Sequence, residues 1–249
     1  MVKALGHTAW LRLRRRARPL NEARLAILSP LLVVAPHQDD ETLGCGGLLA
    51  TASRLGLEPR VAYLTDGSAS HQGSPSWSAE RLSQARKHEA LTALALLGVP
   101  EPQVCFLGWP DAQPFAAGGP NYRRSMDQLL GWAAGFSPRS VWAPWREEAH
   151  CDHVAAAGVA HALAARLTPA PVRMDYLVWG WSTPRLAARV GTAAWALDCP
   201  GTVEVRRRAL ACHRTQLGGV VADAEKSFQI PPRLAALTGR PTEIYLEGA

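Results

Sequence analysis

Leu31-Leu32-Val33-Val34-Ala35-Pro36-His37-Gln38-Asp39-Asp40-Glu41 sets a short apolar run directly before one imidazole and three carboxylates. A continuous apolar run of this length reads as a strand buried on both faces, the form strands take in a parallel sheet. In open α/β sheets, ligands bind in the crevice beyond the carboxyl ends of the strands. His37, Asp39, Asp40 and Glu41 are therefore expected in that crevice. Three acids packed there repel one another unless a cation, a proton or a substrate group offsets them. A divalent metal is the simplest resolution.

Outward from this stretch, strands and helices alternate. Thr42 to Leu57 reads as a helix, with Gly44, Gly46 and Gly47 allowing close packing on a sheet. Strands are expected at Val61–Leu64, Val104–Leu107, Ser140–Ala143 and Val172–Trp179. Helices are expected at Ala79–Leu97, stopping at Gly98 with Pro100 beyond, at Ser125–Ala134, from His153 to about Arg166, and at Val203–Leu217. This order predicts an α/β fold with a Rossmann-like, doubly wound, mostly parallel sheet in a single domain. Residues 30–249 are assigned to that domain and 1–29 to a basic leader. The glycines of the first helix do not form a dinucleotide site. They fall inside the helix, the GxGxxG spacing is absent, and neighbouring acids would repel a pyrophosphate.

A second cluster, His150-Cys151-Asp152-His153, follows the expected strand at 140–143. His37/Asp40 and His150/His153 are both spaced i, i+3, so each pair can face one point from a first helical turn. Catalytic zinc sites take three N/O ligands from the protein and leave one position open. Two histidines and a carboxylate from two strand ends meet that requirement.

These residues resemble the LmbE/PIG-L family of zinc-dependent de-N-acetylases, whose motifs are (A/P)HPDDE and HxDH. The similarity continues through Thr65-Asp66-Gly67, Arg86-Lys87-His88-Glu89, Leu107-Gly108-Trp109-Pro110-Asp111 and Ala209–Gln216. The resemblance implies one zinc ion held by His37, Asp40 and His153, with Asp39 as general base. It implies His150 as electrophile or acid and Asp152 as a group orienting an imidazole. It also places Asp111 against a sugar hydroxyl and Arg86 on the substrate side, with Glu89 as the arginine's partner. Trp179 and Trp181, at a strand end, are candidates for an apolar wall beside a sugar ring. The chain departs from the family at Gln38 and Cys151, where proline is common. It also departs at Glu148, where some members carry a mobile tyrosine, and at Arg206–Arg208, which replace a late lysine.

Composition sets the outer bounds. Hydrophobic residues make up 47% and charged residues 19% of the 249, the balance of a globular chain. The net charge of +6 is almost all arginine, densest at Arg12, Arg14, Arg15, Arg16 and Arg18. Without a nucleic-acid-binding signature this cluster reads as a solvated basic segment, and no nucleic-acid partner is expected. Five scattered cysteines with no CxxC pair argue against a disulfide framework or a zinc ribbon. No apolar run reaches the roughly 18–20 residues of a membrane span, and the first ten residues lack a secretory pattern. A soluble, cytoplasmic protein is expected.

The expected reaction is hydrolysis of an N-acetyl group from an amino sugar or glycoconjugate. Zinc lowers the pKa of a bound water toward about 7, and Asp39 takes the proton as that water attacks the amide. Two alternatives stand beside it: a metal-dependent hydratase on the same scaffold, and a non-catalytic ligand-binding member. Specificity is expected in loops 68–78, 109–124 and 179–201.

Overall fold

The computed structural model describes residues 4–189 and 194–248. Residues 190–193, inside the expected specificity stretch 179–201, lie outside it. The described chain starts with α1 (His7–Arg14), β1 (Arg18–Pro19) and α2 (Glu22–Ile27). It continues with β2 (Leu31–Ala35), α3 (Asp40–Arg54), β3 (Arg60–Thr65), β4 (His71–Gln72) and α4 (Ala79–Leu96). Next come β5 (Val104–Trp109), α5 (Pro120–Ala134), β6 (Ser140–Pro144) and α6 (Cys151–Ala164). β7 (Val172–Tyr176), α7 (Leu186–Arg189), β8 (Ala194–Asp198), α8 (Val203–Cys212) and α9 (Arg214–Leu217) follow. The chain closes through β9 (Lys226–Ser227), α10 (Pro232–Ala235) and β10 (Thr242–Glu247).

Eight strands form one sheet in the order β1-β8-β10-β7-β6-β2-β3-β5, while β4 and β9 pair separately. All pairings in the large sheet are parallel except those of β10, which runs antiparallel to both β7 and β8. The apolar run Leu31–Ala35 lies near the centre, between β6 and β3. Leu31, Val33 and Ala35 enter the core layer under α3, α4 and α8. Leu32 and Val34 enter the opposite layer, under α5 and α6. Both faces of β2 are covered, so no polar residue interrupts it.

The glycines of α3 serve close packing, as expected. A Cβ at Gly44 would fall 2.4 Å from the Tyr176 ring, and one at Gly47 would fall 2.6 Å from Cys199 Sγ. Glu243 of β10 locks this approach. Its carboxylate accepts the Gly47 and Leu48 N–H groups at 2.7 and 2.8 Å and pairs with buried Arg206 at 3.1 Å.

The structure differs from the sequence reading in several places. Described residues before Pro30 pack against the sheet and its core. Trp10 and Leu13 are buried, and β1 extends the sheet beside β8. The guanidinium of Arg240 lies over both Trp10 and Trp181 and donates to the Leu5 carbonyl, fastening α1 to the core. The arginines at 12, 14, 15, 16 and 18 remain exposed. The strand expected at 172–179 ends at Tyr176, because the backbone turns sharply at Val178. The helix expected at 203–217 breaks at His213. β8 and β10 were not read from the sequence.

Asp175 on β7 yields a stability prediction. Burial pushes its carboxyl up to about 6, with Arg173 and Arg146 opposing the shift. A carboxyl raised on folding contributes stability below its unfolded pKa near 4 and loses that contribution as pH rises through about 6. Asp175→Asn is therefore expected to be more stable than wild type at pH 8, by up to about 3 kcal/mol. The two proteins should converge near pH 4. Thermal melts of both across this range check the crossover.

Candidate metal and active site

Loops at the carboxyl ends of β2, β3, β5, β6 and β7 meet at one edge of the sheet around a cavity of about 330 Å³. α3 begins at Asp40, so Asp40 and Glu41 fall in its first turn, where the macrodipole favours acids. His150 caps α6, its Nδ1 accepting the Asp152 N–H at 3.3 Å, and His153 falls in that helix's first turn. Two strand-to-helix junctions thus deliver their side chains to the same crevice.

His37, Asp40 and His153 each offer a ligand atom, and these atoms all lie within 4.8 Å of one another. His37 Nδ1 is 3.1 Å from Asp40 Oδ2, and His153 Nε2 is 3.3 Å from the same oxygen. Both ring nitrogens of His153 are buried without a hydrogen bond of good geometry, Nε2 facing Asp40 and Nδ1 facing Glu148. Two imidazole nitrogens and a carboxylate oxygen converging on one point, one of them without such a bond, fit a divalent metal of the zinc type. Burial works against charge on all three side chains. His153 and His37 outweigh it at Asp40, holding that carboxyl well below the usual range, and Asp40 together with Glu148 raises His153 to about 9.

The remaining acids surround this set in unequal roles. Asp152 Oδ2 lies 3.0 Å from His37 Nε2 but 3.9 Å from His150 Nδ1, so the imidazole it orients is that of His37. Asp111 Oδ1 is 3.2 Å from the same nitrogen, while its Oδ2 accepts the Ala69 N–H at 2.9 Å on the cavity wall. Burial opposes charge on His37, but its hydrogen bonds to Asp111, Asp152 and Asp40 prevail and raise its pKa well above the ordinary value. His150, with a side chain 40% exposed, stands edge-on to His37 at 4.9 Å.

Asp39 lines the same cavity outside the ligand set, and Arg86 Nη2 lies 3.6 Å from its Oδ2. Burial raises the Asp39 pKa, and Arg86 offsets this only in part. Arg86 was expected to face substrate. It does line the cavity, but it is buried, and its Nη1 donates to the Gly67 carbonyl at 3.0 Å. Glu89 is not its partner, because that carboxylate accepts from the N–H and hydroxyl of Thr215. Glu41 faces His213 at 3.6 Å beneath the site and accepts from Thr42, so it is support rather than ligand.

Gln38 does not reach the cavity. Its side chain is buried and its Nε2 donates to the Thr65 carbonyl at 2.7 Å, fastening the motif loop to the end of β3. A cross-strand hydrogen bond holds the loop where the common proline would stiffen it. Trp179 lines the cavity. Trp181, expected beside it, is a correction: it is buried under Arg240 at 4.5 Å and lies off the cavity. Residues 179–182 form a single 3-10 turn, which sends side chains two positions apart in different directions.

Sequence reasoning missed two parts of the site. Glu148 is a fully buried carboxylate beneath His153, at 2.8 Å from its Nδ1. Its only signal was an acid two residues before the second motif. The outer wall is a strap near the carboxyl end, including Lys226, Phe228, Ile230 and Leu234. Two rungs join it to β4, His71 to Ser227 and Gln72 to Lys226, and the Phe228 N–H donates to the Ser70 carbonyl. Gly218 and Gly219, both at positive φ, lead into it.

The model of the PIG-L family, described as GlcNAc-PI de-N-acetylase, matches residues 32–164. The 1D-myo-inositol 2-acetamido-2-deoxy-alpha-D-glucopyranoside deacetylase of Corynebacterium diphtheriae is 28% identical over 202 residues, covering 69% of this chain and 65% of that protein. The chain thus spans just under two thirds of the length of that relative. The N,N'-diacetylchitobiose deacetylase of Pyrococcus horikoshii shares the fold with a TM-score of 0.61 and 23% identity, covering 77% of this chain and 72% of that one. GalB, the 4-carboxy-2-hydroxymuconate hydratase of Pseudomonas putida KT2440, shares it with a TM-score of 0.60 and 19% identity, covering 73% and 77%.

The two tryptophans should separate in mutagenesis. Trp181→Ala removes a buried ring and is expected to cost about 3–5 kcal/mol of stability with KM unchanged. Trp179→Ala should raise KM several-fold with a smaller loss of stability. Melting curves and steady-state kinetics on the same preparations check both halves.

Proposed function

Because the chain belongs to the PIG-L family of GlcNAc-PI de-N-acetylases, we propose that it is a zinc-dependent hydrolase releasing acetate from an N-acetylated amino sugar or glycoconjugate. The observation that carries this reading is the convergence of His37, Asp40 and His153 on one point, with Asp39 beside them and outside the ligand set. In it, His37, Asp40 and His153 would hold the ion. When bound, zinc supplies Lewis acidity and lowers the pKa of the attacking water to about 7.

The chain's own groups carry the rest. Asp39 accepts the proton released as water adds to the amide, and Arg86 fixes its carboxylate. His150, at the open side of the cavity, stabilises the oxyanion that develops on the amide oxygen. Asp39 or His150 returns a proton to the leaving amine. Asp111 accepts a sugar hydroxyl, and Trp179 offers an apolar face to the ring.

The hydratase alternative, which shares only the fold, favours a cavity with free cations for an unsaturated carboxylic acid. Arg86 is engaged by Asp39 and Gly67, leaving Lys226 at the rim. This favours the sugar. The non-catalytic alternative does not account for Asp39 and its buried arginine, which a purely structural metal would not need.

The decisive measurement is acetate release across N-acetylglucosamine, its inositol conjugates and chitooligosaccharides, with metal content determined in parallel. Stripping zinc with a chelator should abolish turnover, and stoichiometric zinc should restore it. Asp39→Asn is expected to retain zinc while kcat falls by about 10²–10⁴-fold. Full activity in that variant would remove Asp39 as the base. A zinc-loaded wild type that releases no acetate from any member of the panel would overturn the deacetylase reading.

A further inference from the structure

The Glu148 side chain has no solvent exposure, yet it belongs to neither motif. Its Oε1 accepts the Val178 N–H at 2.7 Å and the Gly180 N–H at 2.8 Å. Its Oε2 accepts the Trp179 N–H at 3.0 Å and lies 2.8 Å from His153 Nδ1. Three consecutive amides converging on one anion form a nest, and the backbone reaches that shape through the turn at Val178, at φ −112° and ψ −81°. Gly180 is part of the same device. A Cβ there would fall 2.9 Å from Glu148 Oε1 and 2.5 Å from Leu177 Cδ2, so a side chain would displace the carboxylate. The other end of the Glu148 loop is pinned as well. The Trp145 N–H donates to Tyr176 O at 2.8 Å, and the Glu148 N–H donates to Trp145 O at 3.0 Å.

We propose that Glu148 is a positioning residue that joins the metal ligand His153 to the Trp179 wall of the cavity, so that metal affinity and cavity shape are set together. The metal end rests on the zinc reading above. The loop end rests on the three backbone hydrogen bonds. A carboxylate at Nδ1 keeps the proton on that nitrogen and leaves Nε2 free to ligate, the arrangement by which outer carboxylates orient metal-bound histidines. Here the same two oxygens also hold the backbone of the residue that walls the substrate. Glutamine cannot substitute, since its amide nitrogen donates and would face another N–H.

The test is Glu148→Gln, measured in three ways. Zinc affinity by chelator competition should fall about 10–100-fold. Hydrogen exchange at the Val178, Trp179 and Gly180 amides should accelerate relative to β7. With saturating zinc, KM should rise as well as kcat fall, because the Trp179 wall has moved. A carboxylate serving only stability would lower the melting temperature and leave zinc affinity unchanged, and that result would overturn the proposal. If the variant does not fold, wild type decides. Zinc loading should slow exchange at the three amides, and unchanged exchange after one-to-one zinc uptake would overturn the coupling. A wild type that takes up no zinc defeats the zinc reading and this proposal together. The absence of stoichiometric uptake distinguishes that outcome from failure of the coupling alone.

Discussion

Six carboxylates are buried at one edge of one sheet: Asp39, Asp40, Glu41, Asp111, Glu148 and Asp152. A lone charge removed from water costs several kcal/mol, so each must meet a cation or a set of N–H donors. The site is organised by how that demand is met. Asp40 faces two imidazoles, Asp39 a guanidinium and Glu41 a third imidazole below the cavity. Asp111 and Asp152 share His37 Nε2, and each takes a backbone N–H besides, from Ala69 and Ala112. Glu148 takes three amides and the far side of His153. The roles of these acids follow from their partners, since the side chains themselves are chemically almost alike.

The centre of the fold was legible because β2 is covered on both faces, which leaves an uninterrupted apolar run. The grouping of His37, Asp40 and His153 was legible because each i, i+3 pair lies at a strand-to-helix junction, where spacing in sequence maps closely onto spacing in space. What escaped was non-local. β10 inserts between β7 and β8 near the end of the chain, and nothing within Thr242–Glu247 announces the partner strands. Trp179 and Trp181 are indistinguishable by composition, and only the 3-10 turn assigns one to the cavity and the other to the core. The basic segment before Pro30 was read by its arginines, whereas its place in the fold is decided by Trp10, Leu13 and the short pairing of β1.

The fold alone does not select the chemistry. The same sheet appears in a chitobiose deacetylase and in a muconate hydratase, so the distinction belongs to the site. In this chain the cavity pairs an acid-lined floor with a wall that includes Trp179 and Phe228, whose rings lie 6.1 Å apart. Gln38 secures the motif loop mechanically rather than chemically. Its side-chain hydrogen bond to Thr65 ties the loop to the end of β3 from outside the cavity.

The strap that completes the cavity, entered through a pair of glycines, is held by a two-rung ladder, a few backbone hydrogen bonds, Asp223 accepting from Ser74 and Ser76, and Phe228 against Trp179. It contributes no acid to the crowded floor. Its side chains can therefore be exchanged without reopening the problem of how six buried charges are held. On the proposed function, the strap's share of the cavity surface is inheritable separately from the metal site, whereas the Trp179 wall, tied to His153 through Glu148, is not. A lineage could replace Phe228 or Ile230 to follow a new acceptor while its chemistry stayed fixed.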